Sequence, residues 1–254
     1  MKFKNILVLL LFPFYVQAQN MAVTAGLYSW PGPGDGGKKN MNTVMLAGTA
    51  HDLAQLKVSA NMMTPGNKKV IQVPATEEHL LLVKDGIVTI TLNDSSFSIG
   101  KGSVAMIMPD VKYALQNLGT TACQFQLMQY TPKLPVNMDR GIAAGGSFVI
   151  DWNRLTFNPH ERGGVRPYFD RPTANTRKFE MHVTTLKENF KSHDPHQHAA
   201  EEFIIVLEGN VEMLIGDKLY KANAGDVLFA PTNIFHGLKN TGSGACSYFA
   251  FQWE

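Results

Sequence analysis

Hydrophobic positions in this chain come in short runs that stop at Gly, Asn or Asp. His79 to Leu92 reads HLLLVKDGIVTITL and Glu202 to Ile215 reads EFIIVLEGNVEMLI. Each is a pair of aliphatic, β-branched stretches broken by an acid–Gly turn, the pattern of short strands. Asn93–Asp94 and Gly216–Asp217 supply further hairpin signals. Aromatic-bearing runs follow at Gln124–Tyr130 and Ser247–Trp253, and long amphipathic helical stretches are missing. The pattern predicts an all-β chain with a barrel or sandwich in each half.

The two halves are related by a fixed offset. A step of 123 residues carries Gly86 to Gly209, Gly102 to Gly225, Asn117 to Asn240, Ala122 to Ala245, Cys123 to Cys246 and Gln129 to Gln252. No gap is needed from residue 78 to residue 130. A period this long marks two copies of a whole domain, not a solenoid. The organisation read from it is a first domain over 19–130, a linker over 131–176 and a second domain over 177–254.

Only the second copy carries a metal-ligand set. His196 and His198 are two apart and so share one face of an extended segment. Glu202 opens the next strand-like run and His236 follows Pro231. Three imidazoles and a carboxylate suit one divalent transition metal per chain, Mn, Fe, Ni, Cu or Zn, rather than Ca or Mg. His193 lies outside this set and is read as a neighbour of it. The same offset places Val73, Ala75, His79 and Tyr113 at the ligand positions of the first copy. One imidazole does not make a site, so the first domain is expected to be metal-free.

These residues resemble the two motifs of the cupin superfamily. His196, His198, Glu202 and Gly209 match the first motif, with Phe190–Lys191 where a leading Gly is usual. Gly225, Pro231, His236 and Asn240 match the second, with Asn233 in place of its middle Gly, a change that Asn tolerates because it accepts positive φ. With the repeat, the chain is similar to a bicupin, which implies two tandem jelly-roll barrels. The plan of a degenerate first barrel and a metal-bearing second one resembles (S)-ureidoglycine aminohydrolase. That family's ligand set is Glu, His, His and Gln, however, whereas this chain has His, His, Glu and His. Quercetinase-like bicupins resemble the ligand set better.

Residues 131–176 are rich in Gly, Pro and Arg, including Arg162, Arg166, Arg171 and Arg177 just beyond. Two readings compete: surface salt bridges along a linker, or a carboxylate clamp at the mouth of the metal barrel. Arg166 and Arg171 are the arginines put forward for substrate. Strand alternation adds His182 and Tyr248 as candidate pocket residues, with Met213 and Gln252 beside them.

The first residues are read as a signal, not as fold. Lys2 and Lys4 precede an apolar run from Ile6 to Val16, and Ala18 ends a signal-peptidase site. A signal peptide over 1–18 predicts a periplasmic or secreted protein. Without its two lysines, the chain of 254 residues holds 21 basic against 21 acidic side chains. That balance gives no ground for a nucleic-acid or membrane-surface partner. Cys123 and Cys246 each begin the last strand of their own copy, so two buried thiols are expected rather than a disulfide. The partner expected is a small molecule, with a homodimer as the assembly to consider. Three functions fit: a hydrolase, isomerase or lyase acting on a small polar or carboxylated metabolite, a dioxygenase, or a non-catalytic binder of a sugar acid. The first is preferred.

Overall fold

The computed structural model describes residues 21–32, 36 and 38–254; the signal segment 1–18 lies outside them. The first half contributes β1 (Gly26–Tyr28), β2 (Met41–Gly48), β3 (Leu53–Met63), β4 (Lys68–Gln72) and β5 (Glu78–Asp85). It continues with β6 (Val88–Leu92), β7 (Ser95–Ile99), β8 (Val104–Ile107), β9 (Lys112–Gln116) and β10 (Cys123–Pro132). A short helix α1 (Met138–Ala143) then leads into β11 (Phe148–Ile150), β12 (Asn158–His160), β13 (Gly163–Arg171) and β14 (Phe179–Leu186). The second half closes with β15 (Glu201–Glu208), β16 (Asn210–Ile215), β17 (Lys218–Asn223), β18 (Val227–Ala230), β19 (His236–Asn240) and β20 (Cys246–Trp253).

Each half folds a large antiparallel sheet over a small one. The large sheets run β11-β8-β5-β10-β3-β2 and β1-β18-β15-β20-β14-β13-β12; the small ones run β4-β9-β6-β7 and β17-β16-β19. The all-β, jelly-roll expectation is met. Strand alternation sends one face of each large sheet into its own barrel and the other toward its neighbour. Leu81, Val83, Ile90 and Leu115 fill the first barrel, while Ile204, Val211, Met213 and Tyr248 line the second. A third core between the large sheets joins Leu80, Leu82 and Tyr130 to Phe179, Phe203, Phe251 and Trp253. The two halves therefore share buried apolar surface, the main source of stability.

The segment 131–176 is not a linker outside both repeats. Its strand β11 pairs with β8 in the first half, while β12 and β13 extend the sheet of the second. The first half returns the exchange, since β1 pairs with β18. The offset of 123 takes β1 onto β11, β2 onto β13 and β3 onto β14 to within a few residues. The duplication thus reaches back to the first strand, with little sequence identity left to mark it. Each barrel borrows its edge strand from the other.

Two buried carboxylates fix this exchange at equivalent points. Glu78 accepts from the Tyr130 hydroxyl (2.7 Å), Thr173 Oγ1 (2.6 Å) and Ala174 N (2.8 Å). Its counterpart Glu201 accepts from His51 N at 2.8 Å and from Trp253 Nε1 at 3.2 Å. Burial pushes both carboxyls above their ordinary range, and the donors pull back against it. Cys123 and Cys246 are free and buried at the starts of β10 and β20.

Candidate metal centre

The small sheet of the second barrel has three strands where that of the first has four. In the first half β4 pairs along β9. The corresponding stretch around residues 191–198 makes only isolated bridges, Lys191 to Lys239 and His196 to His236. His196 N donates to His236 O at 2.9 Å and His236 N to His196 O at 2.8 Å, which locks the two histidine backbones together. Pro195 packs on Gly237, where an added Cβ would lie 3.0 Å from the proline ring. The turn before His236 carries Asn233 at φ +58, and its counterpart Asp110 has φ +60. Asn233 thus serves in place of the motif's glycine.

One ring nitrogen from each of His196, His198 and His236 lies within 4.8 Å of the others. Backbone carbonyls set the tautomers of two of these rings. His236 Nδ1 donates to Ile234 O at 2.8 Å and His198 Nδ1 to Ala200 O at 2.9 Å, so in each neutral ring Nε2 is the nitrogen with the free lone pair. Glu202 Oε2 stands 2.9 Å from His236 Nε2 and 3.5 Å from His198 Nε2. The Nε2 of His236 is buried and has no aligned hydrogen-bond partner. A buried nitrogen left this way is costly unless a cation takes it up. The donor set, two fixed tautomers and one orphaned nitrogen fit a divalent metal.

The charges follow from this closeness. Burial pushes the Glu202 carboxyl up, but the close approach of the His198 and His236 rings outweighs it and holds the pKa at about 2. His198 is raised, chiefly by its hydrogen bond to Glu202. His196 is lowered by burial and by the facing His193, His236 and His198. His193 meets the His196 ring edge-on, centroids 4.3 Å apart, and its Nδ1 is 2.9 Å from Asp194 O. It supports the His196 ring and lies outside the three-histidine group.

A cavity of about 280 Å³ opens in front of these residues. It is walled by Ile204, Met213, Leu238, Tyr248 and Ala250, with Glu180, His182, Thr184 and Gln252 on one side and His160 and Arg162 nearby. His182 and Tyr248 are therefore at the cavity, as strand alternation predicts. Burial lowers His182, and burial raises Tyr248, whose hydroxyl reaches Thr184 and Ser192.

Arg166 and Arg171 are not at the cavity. Arg166 lies over the rings of Trp152 and Phe157, 4.2 and 4.6 Å from their centroids. Arg171 lies 3.7 Å from the Phe148 centroid and donates to Ala144 O at 2.8 Å. The reason lies in β13: Val165 faces the cavity, so its neighbour Arg166 faces away, and the bulge between Pro167 and Phe169 turns Arg171 from the cavity face as well. The arginine that lines the site is Arg162, in the tight turn between β12 and β13, which brings it to the cavity from an adjacent strand. Glu180 is the other residue missed. It is two positions before His182, on the face of β14 already assigned to the pocket.

In the first barrel the same positions carry other residues, of which Ala75 is exposed. Val73 is fully buried, and Tyr113, in the place of His236, lies 3.0 Å from Nδ1 of His79, in the place of Glu202. The other His79 nitrogen is 3.1 Å from Glu77. The first barrel keeps the contact across the two strands without the set of imidazoles.

Comparison with known proteins agrees with this fold. Residues 182–251 match the cupin domain family. A Pseudomonas aeruginosa protein named for induction by glyoxylate aligns over 85% of this chain and 80% of its own, at 16% identity and a TM-score of 0.66. Oxalate decarboxylase of Lactobacillus farciminis, solved as a formate complex, aligns over 91% and 86%, at 14% identity and 0.65. Bacillus subtilis oxalate decarboxylase, studied for its Mn(II) centres, aligns over 91% and 77%, at 12% and 0.63. No curated protein matches the sequence. Residues 182–251 are thus similar to a cupin domain, and the chain as a whole has the fold of two cupin barrels. Its second barrel carries a histidine group suited to a divalent metal.

Proposed function

We propose that this protein is a metal-dependent cupin enzyme, of hydrolase, isomerase or lyase type, acting on a small carboxylated metabolite outside the cytoplasm. The observation that carries the reading is the convergence of His196, His198 and His236 on a cavity of about 280 Å³ that also meets Arg162. Glu202 completes the ligand set in this reading, one metal is held per chain, and the first barrel holds none. A divalent metal there supplies Lewis acidity to a bound carboxylate or carbonyl.

The remaining work falls to the chain's own side chains. Arg162 lines the cavity and its charge already reaches the neighbouring Asp194 carboxylate, so its guanidinium is placed to pair with a carboxylate ligand. Ile204, Met213, Leu238 and Ala250 exclude water from the inner wall. His182, neutral because burial lowers its pKa, offers one nitrogen that accepts and one that donates. The structural likeness to enzymes named for oxalate supports a small acid as the class of substrate.

The test begins with elemental analysis and ends with a turnover screen of small carboxylates on the metal-loaded chain. Turnover that disappears in His236→Ala, with the fold retained, supports the proposal. Tight binding with no turnover of any acid supports the binding-protein alternative, and oxygen uptake supports the dioxygenase. Export is tested by sequencing the N-terminus of protein recovered from its native compartment; a start near residue 19 is expected.

A further inference from the structure

Glu180 is outside the metal set, yet it lines the same cavity. On β14 it shares a face with His182, and across the sheet it pairs with Gln252, which pairs in turn with Glu202. Glu180, Gln252 and Glu202 form one row across three neighbouring strands, so backbone positions 180 and 202 lie about 10 Å apart at ordinary strand spacing. Gln252 Nε2 donates to Glu180 Oε2 at 2.9 Å and anchors that oxygen. Lys178, nearly half exposed, stands 3.7 Å from the same oxygen. The other oxygen, Oε1, is 3.8 Å from His182 Nδ1, beyond hydrogen-bond length. It keeps its capacity to accept.

The repeat shows what is particular to this barrel. The equivalent row in the first copy is Lys57, Gln129 and His79. The glutamine is common to both, but the carboxylate at position 180 accompanies the cavity and the histidines. A ligand that was only a string of carboxylates would set an anionic end against Glu180. A ligand with a hydroxyl or amine would give Oε1 the donor it lacks.

We propose that the pocket selects small carboxylates that also carry a hydroxyl or amine, and that Glu180 Oε1 accepts the hydrogen bond from that group. This inference rests on the metal-dependent carboxylate reading of the pocket. A carboxylate of the ligand sits at the metal end, and the hydroxyl or amine points along the row toward Glu180.

The test is calorimetric binding to the manganese-loaded chain, with both hands of malate and aspartate against succinate as probes. It is run on the native chain, Glu180→Gln and Glu180→Ala, with manganese content and circular dichroism measured for each. One hydroxy or amino acid should bind the native chain about tenfold or more tighter than succinate, as a charged hydrogen bond allows. That preference should fall about tenfold in the variant that holds manganese and folds, while succinate binding stays the same or improves. Preference left in the variants is chelation by the metal. Equal binding of all probes to the native chain, or an undiminished preference in both variants, overturns the inference while the carboxylate reading stands. Failure of every probe to bind a manganese-bearing native chain overturns both.

Discussion

At His236 the two ring nitrogens have different tasks. Nδ1 is tied to the Ile234 carbonyl, and Nε2 is left bare beside Glu202. A metal relieves that arrangement, so His236→Ala and His196→Ala should each lower bound metal to below about a tenth of the native level, as loss of a ligand does. Elemental analysis with a circular dichroism spectrum checks this; full metal retention in either variant contradicts the assignment. The pH dependence follows from the same contacts. Glu202 is held at about 2, so its contribution to the metal-free fold is complete above its ordinary value of 4.5 and fades as pH falls from there toward 2. His198 is raised, so its contribution is complete below 6.5 and fades as pH rises through its folded-state pKa. Metal binding needs neutral imidazoles and works in the opposite sense. The gap in melting temperature between metal-loaded and metal-free protein should therefore widen from about pH 5 to about pH 8, where imidazoles lose their protons. A thermal scan series in pH measures it, and a gap that narrows contradicts the assignment.

Among the elements, the strand exchange and its two carboxylates matter most. Glu78 gathers donors from β10 and from the chain around residues 173–175, and removing it strands several of them. Glu78→Ala should cost about 2 kcal/mol or more. Leu27 on β1 packs against the core of the second barrel, so Leu27→Asp should destabilise that half by about 2 kcal/mol, although it lies far away in sequence. Denaturant titrations check both. This scale also separates what was legible from what was not. The convergence of His196, His198 and His236 beside Glu202 was readable because these residues are chemically distinctive at fixed spacing. The Arg166 and Arg171 assignment failed because arginine is no guide to facing, and a one-residue shift along β13 turns a side chain from cavity to interface. β1 and β11 are three-residue edge strands with partners in the opposite half, and nothing local in their sequence announces a distant partner.

For the whole molecule, the shared core of Leu80, Tyr130, Phe179, Phe203, Phe251 and Trp253 makes the halves interdependent. The duplication was legible from residue 78 to 130 because glycines, asparagines and core residues there sit under the same constraints in both copies. Before β5 the backbone plan is repeated while the residues differ, so 131–176 read as a linker. The asymmetry of the two barrels is the centre of the account. His79 and Tyr113 hold each other in the first barrel, while three histidines converge in the second. Metal stoichiometry tests it most directly. After saturation with manganese or zinc and removal of excess, elemental analysis should give about one metal per chain, and none should be retained when His196 and His236 are both changed to Ala. Two metals per chain, or an unchanged single metal in the double variant, would contradict it.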